Sequence, residues 1–165
     1  MKILVCGLPG SGKTWLAERL VKHINNCAWY NADMLRKYSN DWDFSLEGRS
    51  RQANRMKTFA DFERSNDRWV ICDFVATTQK VREAFAPDFV IWLDTIKQGR
   101  VVLSKINELK KIKNLPFDAN SLFRSKAFED TNKMFEPPKK IDKHITRFLS
   151  DEEIKKIAEE MQQNV

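Results

Sequence analysis

The sequence predicts an α/β protein: a three-layer α/β/α sandwich around a mainly parallel five-stranded sheet. Short apolar runs rich in β-branched and aromatic residues recur at Lys2–Cys6, Cys27–Asn31, Trp69–Val75 and Phe89–Leu93, and helical stretches alternate with them. Strands separated by helices must be joined by crossovers, which make neighbouring strands parallel and cover both faces of the sheet. The 165 residues, with 42% hydrophobic and 32% charged side chains, suit one globular domain spanning 1–165. A chain of this length buries about 70% of its unfolded surface on folding, enough for one core.

Each element follows from its pattern. Lys2–Cys6 reads as a strand buried on both faces and is ended by glycine. Lys13–Ile24 supplies the helix after it, with Leu16, Leu20 and Ile24 spaced by four. The second strand, Cys27–Asn31, precedes a helical stretch at Arg49–Arg64 that carries Met56, Phe59, Ala60 and Phe62. Ser65-Asn66-Asp67 is a turn signal feeding the third strand, and Thr78–Phe85 is a short helix stopped by Pro87. After the fourth strand the pattern becomes amphipathic and basic, with Arg100, Lys105, Lys110, Lys111 and Lys113 against Glu108. This segment, about 101–127, reads as a helical lid or arm. Asp142–Phe148 holds the last strand, and Ser150 with Glu153 forms a capping box that opens the C-terminal helix.

Bulk properties narrow the function. No apolar run approaches the roughly 18 residues of a membrane span, and Met1 leads straight into strand sequence, so a cytoplasmic protein without a membrane partner is expected. The balance of 29 Lys and Arg against 23 Asp and Glu leaves a net charge of +6, which suits polyanionic ligands: a nucleoside triphosphate, with nucleic acid left open. Cys6, Cys27 and Cys72 lie among apolar residues outside any C-x-x-C pair and read as reduced core cysteines. His23 and His144 are too far apart in sequence to suggest a zinc site.

The chemistry begins at Gly7-Leu8-Pro9-Gly10-Ser11-Gly12-Lys13-Thr14, which fills every fixed position of G-x-x-x-x-G-K-[ST] behind a strand and ahead of a helix. This is the phosphate-binding P-loop, so the sandwich is of the P-loop NTPase type. Glycines let successive backbone N–H groups point at phosphate oxygens, and the helix N-terminus adds its positive end. Gly7, Pro9, Gly10, Ser11 and Gly12 would cradle ATP, Lys13 would reach its β and γ phosphates, and Thr14 would ligate Mg²⁺. The chain lacks an Asn-Lys-x-Asp guanine motif, and its minimal size suits a small-molecule kinase.

At the end of the second strand, Asn31-Ala32-Asp33-Met34-Leu35-Arg36 places an acid and a base at the sheet edge where open α/β sheets bind ligands. Asp33 could take a proton from an acceptor hydroxyl or hold the metal's water, and Arg36 could pair with an anion. A helix-capping aspartate beside a surface arginine is the structural alternative.

Here the sequence resembles the adenylylsulfate kinases, which transfer the ATP γ-phosphate to the 3′-hydroxyl of adenosine 5′-phosphosulfate. Ala32-Asp33-Met34-Leu35-Arg36 stands where that family has G-D-N-[VI]-R. Asp41-Trp42-Asp43-Phe44-Ser45, with Arg49 and Gln52, stands for its D-L-G-F-S followed by Arg and Asn. Lys126-Ala127-Phe128-Glu129-Asp130 and Phe135-Glu136-Pro137-Pro138 are similar to its K-x-F-T-G and Y-E-x-P segments. The resemblance implies Asp33 as the catalytic, metal-associated carboxylate, and Arg36 and Arg49 as holders of the phosphosulfate. It also implies an adenine sandwich between Phe44 and Phe128, with Gln52 and Lys126 at the same substrate site and ATP and adenylylsulfate as the partners. Adenylylsulfate kinases are often dimers, so a homodimer is a further implication. Core packing remains the alternative for both phenylalanines.

The departures shape the expectation too. Asn31 stands where the family has a first aspartate, and Asp73, ending the third strand, is a candidate to compensate as a metal ligand. Ala76-Thr77-Thr78 replaces Ser-Pro-Tyr, which leaves direct in-line transfer as the route. After Asp94-Thr95-Ile96-Lys97-Gln98-Gly99-Arg100 the family's lid sequence gives way to a different basic segment, as in short phage-type relatives. Lys110, Lys111 and Arg124 there are candidate phosphate contacts, or a solvated charged face. Kinases of another hydroxyl, on a nucleoside, a nucleotide or a polynucleotide 5′-end, stay open, as does a nucleotide-binding module without transfer activity.

Overall fold

The computed structural model describes residues 1–96 and 129–163. The basic segment about 101–127, with Arg100, Lys105, Lys110, Lys111, Lys113 and Arg124, lies outside them, as do Lys126 and Phe128. The described chain runs β1 (Lys2–Gly7), α1 (Lys13–Leu20), β2 (Cys27–Asn31), α2 (Ala32–Tyr38), α3 (Leu46–Ser65), β3 (Trp69–Asp73), α4 (Gln79–Phe85), β4 (Phe89–Leu93), β5 (Lys143–Ile145) and α5 (Asp151–Gln163). Residues 129–134 are also helical. The sheet order is β2-β3-β1-β4-β5, and all four strand pairs are parallel.

Alternation along the buried strands builds the three layers, because successive side chains point to opposite faces. Ile3 and Val5 of β1, with Ile71 and Ile91, pack against Leu16, Ala17 and Leu20 of α1 and Ile154, Ile157 and Met161 of α5. Leu4 and Cys6, with Val70, Cys72 and Val90, face the other way, onto Leu35 of α2, Met56 and Ala60 of α3 and Phe85 of α4. Full burial of each large aliphatic side chain contributes about 1.5–3 kcal/mol, so the two clusters hold the sheet from both sides. Desolvation pushes the Cys6 thiol up to about 11 and the half-buried Cys27 thiol up to about 12, and raises that of Cys72 as well, so all three are protonated near neutrality.

Several boundaries differ from the sequence pattern. The first helix stops at Leu20, and a 3₁₀ turn at Val21–His23 tightens its end so that the chain can enter β2. β3 ends at Asp73 rather than Val75: its pairing with β1 stops where Val5 lies opposite Asp73, the last bond is from Phe74 N to Val5 O, and β1 goes on through Cys6 and Gly7 beside β4 alone. Ala76 then turns the chain away with φ 47°. Helix α2 and the helical residues 129–134 have no counterpart in the expected element order. The capping box forms as expected: Glu153 N donates to Ser150 Oγ at 3.3 Å and Ser150 N to Glu153 Oε2 at 2.8 Å. Arg147 and Ser150 together hold the Glu153 carboxyl down at about 2.

Lys2 is 1% exposed at the N-terminal edge of the sheet. Its ammonium donates to Asp61 Oδ1 at 2.6 Å and to Phe85 O, and it lies 4.6 Å from the Phe85 ring centroid. A buried charge is tolerated only with such partners: removing Asp61 strands the buried ammonium, whereas removing the ammonium leaves Asp61 partly exposed and still paired with Lys57. Asp61→Ala is therefore expected to destabilise the protein by about 1–3 kcal/mol, and Lys2→Met to change stability by less than about 1 kcal/mol. Urea unfolding of the two variants compares them directly.

Candidate active site

The loop between β1 and α1 requires its glycines. A Cβ on Gly7 would lie 2.4 Å from Leu93 O, so only glycine lets β1 run this close to the end of β4. Gly12 caps α1 at φ 96°, in the left-handed region that glycine enters without penalty, and a Cβ there would press on Phe148 at 3.0 Å. Thr95 Oγ1 donates to Ser11 O at 2.7 Å and ties the loop to the segment after β4. Lys13 Nζ donates to Leu8 O at 2.8 Å and bridges the loop's own bend. Burial brings the Lys13 ammonium down to about 8, while Asp73, Cys6 and Asp33 pull the other way. The buried Ser11 hydroxyl oxygen has no hydrogen-bond partner among the described residues.

Asp73 is the polar centre of the sheet edge and is 2% exposed. Trp29 Nε1 donates to its Oδ1 at 2.8 Å, and Thr14 Oγ1 and Asn31 Nδ2 both donate to its Oδ2 at 2.8 Å. Burial raises the carboxyl's pKa, and the three donors and Lys13 work against that rise by favouring the ionised form. The parallel register explains the convergence: Asn31 lies opposite Asp73, and Trp29, two residues earlier in β2, shares Asn31's face. A threonine hydroxyl and a carboxylate meeting at 2.8 Å form a hard-oxygen pair that fits a magnesium ion.

Asn31 also caps α2, its Oδ1 accepting from Met34 N at 2.9 Å. The capping alternative for Asp33 is thereby answered: Asp33 is exposed on the first turn of α2, lines the central cavity, and makes no hydrogen bond or ion pair with the described residues. Arg36 is likewise no surface arginine. It is 5% exposed, its Nη1 donates to Asp41 O at 2.9 Å and Asp43 O at 3.0 Å, and its guanidinium lies 4.5 Å from the Phe44 ring centroid. Arg49 Nε donates to Phe44 O at 2.9 Å and Nη1 to Thr131 Oγ1 at 2.7 Å, which joins the start of α3 to the helical residues 129–134. Gln52 is buried, donates to Ala32 O at 2.9 Å and accepts from Arg55, so it locks α3 to α2. Asp41 holds the intervening loop by accepting from Arg51 and Arg55, and those two arginines keep its carboxyl well below the ordinary carboxylate range.

A cavity of about 800 Å³ brings these parts together. Pro9, Gly10, Gly12, Lys13 and Thr14 line it from the loop side and Asn31 and Asp73 from the sheet edge. Asp33, Arg36, Phe44, Arg49 and Gln52 line it from α2 and α3. Gly7 and Ser11 stand behind the lining, and Lys126 and Phe128 fall outside the described residues. The sequence pattern did not disclose the apolar wall made by Phe74, Val81, Phe85 and Met134, nor the role of Trp29. It also missed Phe148, an exposed ring beside Gly12 that meets Trp15 edge to face at 5.6 Å. The period-two spacing of Trp29 and Asn31 in β2 was the one available signal for the role of Trp29.

Comparison with known proteins adds the following. No curated protein matches the chain. The crystal structure of APE1195 superposes with a TM-score of 0.77 at 23% identity, covering 100% of this chain and 96% of that one. The Mycobacterium tuberculosis APS kinase CysC in complex with AMPPNP and APS gives 0.64 at 20% identity, covering 98% and 95%. Shikimate kinase from Aquifex aeolicus vf5 gives 0.57 at 15% identity, covering 99% and 98%. At these identities the likeness is one of fold: a parallel sheet with the same helical layers. Among the described residues no helix is long and apolar enough to cross a membrane. The profile of the AAA domain family matches residues 3–103, a stretch that contains the glycine-rich loop, Asp33 and Asp73 and covers more than half of the sequence; the chain belongs to the AAA domain family.

Proposed function

We propose that the protein is an Mg-ATP-dependent kinase whose acceptor is adenosine 5′-phosphosulfate, phosphorylated on its 3′-hydroxyl. The observation that carries the reading is that the Lys13 loop, the hydrogen-bonded Thr14–Asp73 pair and the Asp33 carboxylate all line one cavity. Loop amides, the α1 N-terminus and Lys13 bind and orient a triphosphate, since phosphoryl transfer is catalysed mainly by positioning and charge neutralisation. Thr14 and Asp73 would hold Mg²⁺, which supplies charge neutralisation between the β and γ phosphates when bound. Asp33, unbonded and facing the cavity, would accept the acceptor hydroxyl's proton or hold a metal-bound water.

The acceptor choice rests on the second half of the cavity. Arg36 and Arg49 flank Phe44, and guanidinium forks suit sulfate and phosphate oxygens. Phe44, with the half-buried Val81 and Met134, offers aromatic and apolar surface to a purine, which a small polyol acceptor would not use. The solved structure of CysC with AMPPNP and APS, of similar fold, supports the same pairing of nucleotides. A polynucleotide 5′-end is the second reading, favoured by Lys57 and Lys80 at the cavity's outer lining.

ADP release measured with adenylylsulfate, mononucleosides and 5′-hydroxyl oligonucleotides in turn decides the acceptor. Turnover on adenylylsulfate is expected to dominate; ATP binding with no acceptor-dependent release would instead identify a binding module without transfer. Lys13→Ala should keep the melting temperature and lower turnover by roughly 10²–10⁴-fold, and unchanged turnover would remove the loop from the mechanism. Asp33→Asn should lower kcat by about 10²–10⁴-fold with under about 0.5 kcal/mol change in stability, because Asn31 and not Asp33 caps α2.

A further inference from the structure

Asn31 does two separate jobs with one side chain. Its oxygen caps α2 by accepting from Met34 N at 2.9 Å, and a serine, threonine or aspartate would serve that purpose equally. Its Nδ2 is surplus to the cap. That nitrogen donates to Thr14 Oγ1 at 3.0 Å and to Asp73 Oδ2 at 2.8 Å, the two oxygens assigned above to Mg²⁺. An amide NH₂ is donor-only, so it offers these oxygens part of what a cation would offer while carrying no net charge.

The ligand count around this pair is low. Among the described residues no three His, Cys, Asp or Glu come together in a group able to hold a metal ion. One carboxylate and one hydroxyl fall short of the six oxygens Mg²⁺ demands, and such sites are completed by water and substrate phosphates. A carboxylate at position 31 would keep the α2 cap, since aspartate caps as well as asparagine, but would place a second anion beside Asp73. The structure therefore separates capping from charge at this position, and asparagine is the residue that caps, donates and stays neutral.

We infer that Asn31 is a positioning residue that keeps Thr14 and Asp73 assembled without a metal, so that the site takes a divalent cation only together with a nucleotide whose phosphates complete the ligand set. The inference rests on the kinase reading above, through its assignment of Thr14 and Asp73 to the metal. It makes the chain's metal affinity conditional on nucleotide, and it makes residue 31 the determinant of that condition.

The test uses the full chain with Mn²⁺ as the probe, followed by electron paramagnetic resonance and by melting temperature. The wild type is expected to bind Mn²⁺ alone weakly and Mn²⁺ with ADP tightly. Asn31→Asp should bind Mn²⁺ alone at least about tenfold more tightly than the wild type and gain several degrees of melting temperature from it. Asn31→Ser, which keeps a cap but is too short to donate across the sheet edge, should lower the metal-free melting temperature by about 2–6 °C. In an Asp73→Asn background the same change should cost under about 1 °C. Equal Mn²⁺ affinity in the wild type and Asn31→Asp overturns the inference, and so do equal serine penalties in the two backgrounds, which would reduce Asn31 to a cap. The serine cycle decides if Asn31→Asp does not fold. Absence of wild-type affinity for Mn²⁺ with ADP overturns the kinase reading and this inference with it, whereas tight Mn²⁺–ADP binding alongside equal metal-only affinities overturns the inference alone.

Discussion

A buried carboxylate at the carboxyl edge of a parallel sheet must find hydrogen-bond donors, and Asp73 finds three of them on two separate elements. Trp29 and Asn31 come from β2 and Thr14 from the first turn of α1, each at 2.8 Å. Leaving such a group without partners costs several kcal/mol, so the requirement fixes how β2, β3 and the α1 N-terminus sit relative to one another. The rest of the site inherits its geometry from that point. Asn31 hands the constraint on to α2 through its cap, and α2 carries Asp33 and Arg36 to the cavity wall.

A second constraint acts between the strands. β1 and β4 approach so closely that a methyl group at Gly7 would collide with Leu93 O, and this pins the start of the phosphate loop against the sheet. Thr95 holds the loop's far side through Ser11 O. Backbone amides arranged in this way need no reorganisation when a polyanion arrives, which is the basis of electrostatic preorganisation. Lys13, bonded to Leu8 O, is held inside the bend, and burial lowers its pKa to about 8.

The cavity wall beside α2 and α3 is assembled by arginines that serve the fold. Arg36 satisfies the carbonyls of Asp41 and Asp43, Arg51 and Arg55 converge on the Asp41 carboxylate, and Gln52 joins α3 to α2. This network shapes the loop that presents Phe44, so the aromatic surface and the cationic surface of the cavity are set by one hydrogen-bonded unit. Glu136 does the same for α4: its backbone bonds Thr77 O and its carboxylate accepts from Gln79 N, which accounts structurally for the Phe-Glu-Pro segment that resembled a family motif.

By itself the sequence determined the sandwich architecture, the alternation of Ile3 and Val5 with Leu4 and Cys6, the phosphate loop and the Ser150–Glu153 capping box. Each of these depends on local period or on a short contiguous motif, and local patterns survive in one dimension. Asp73 and Asn31 were legible as candidates at strand ends. Their mutual hydrogen bond was not, because it depends on the β2–β3 register across forty-odd residues of intervening chain. Burial of Arg36, the cap moving from Asp33 to Asn31, the apolar wall of Phe74, Val81, Phe85 and Met134, and the early ends of α1 and β3 were decided only in three dimensions. Which donor reaches a buried acceptor, and which face of a helix meets a cavity, are set by packing between distant segments, and no single stretch of sequence encodes such a distance.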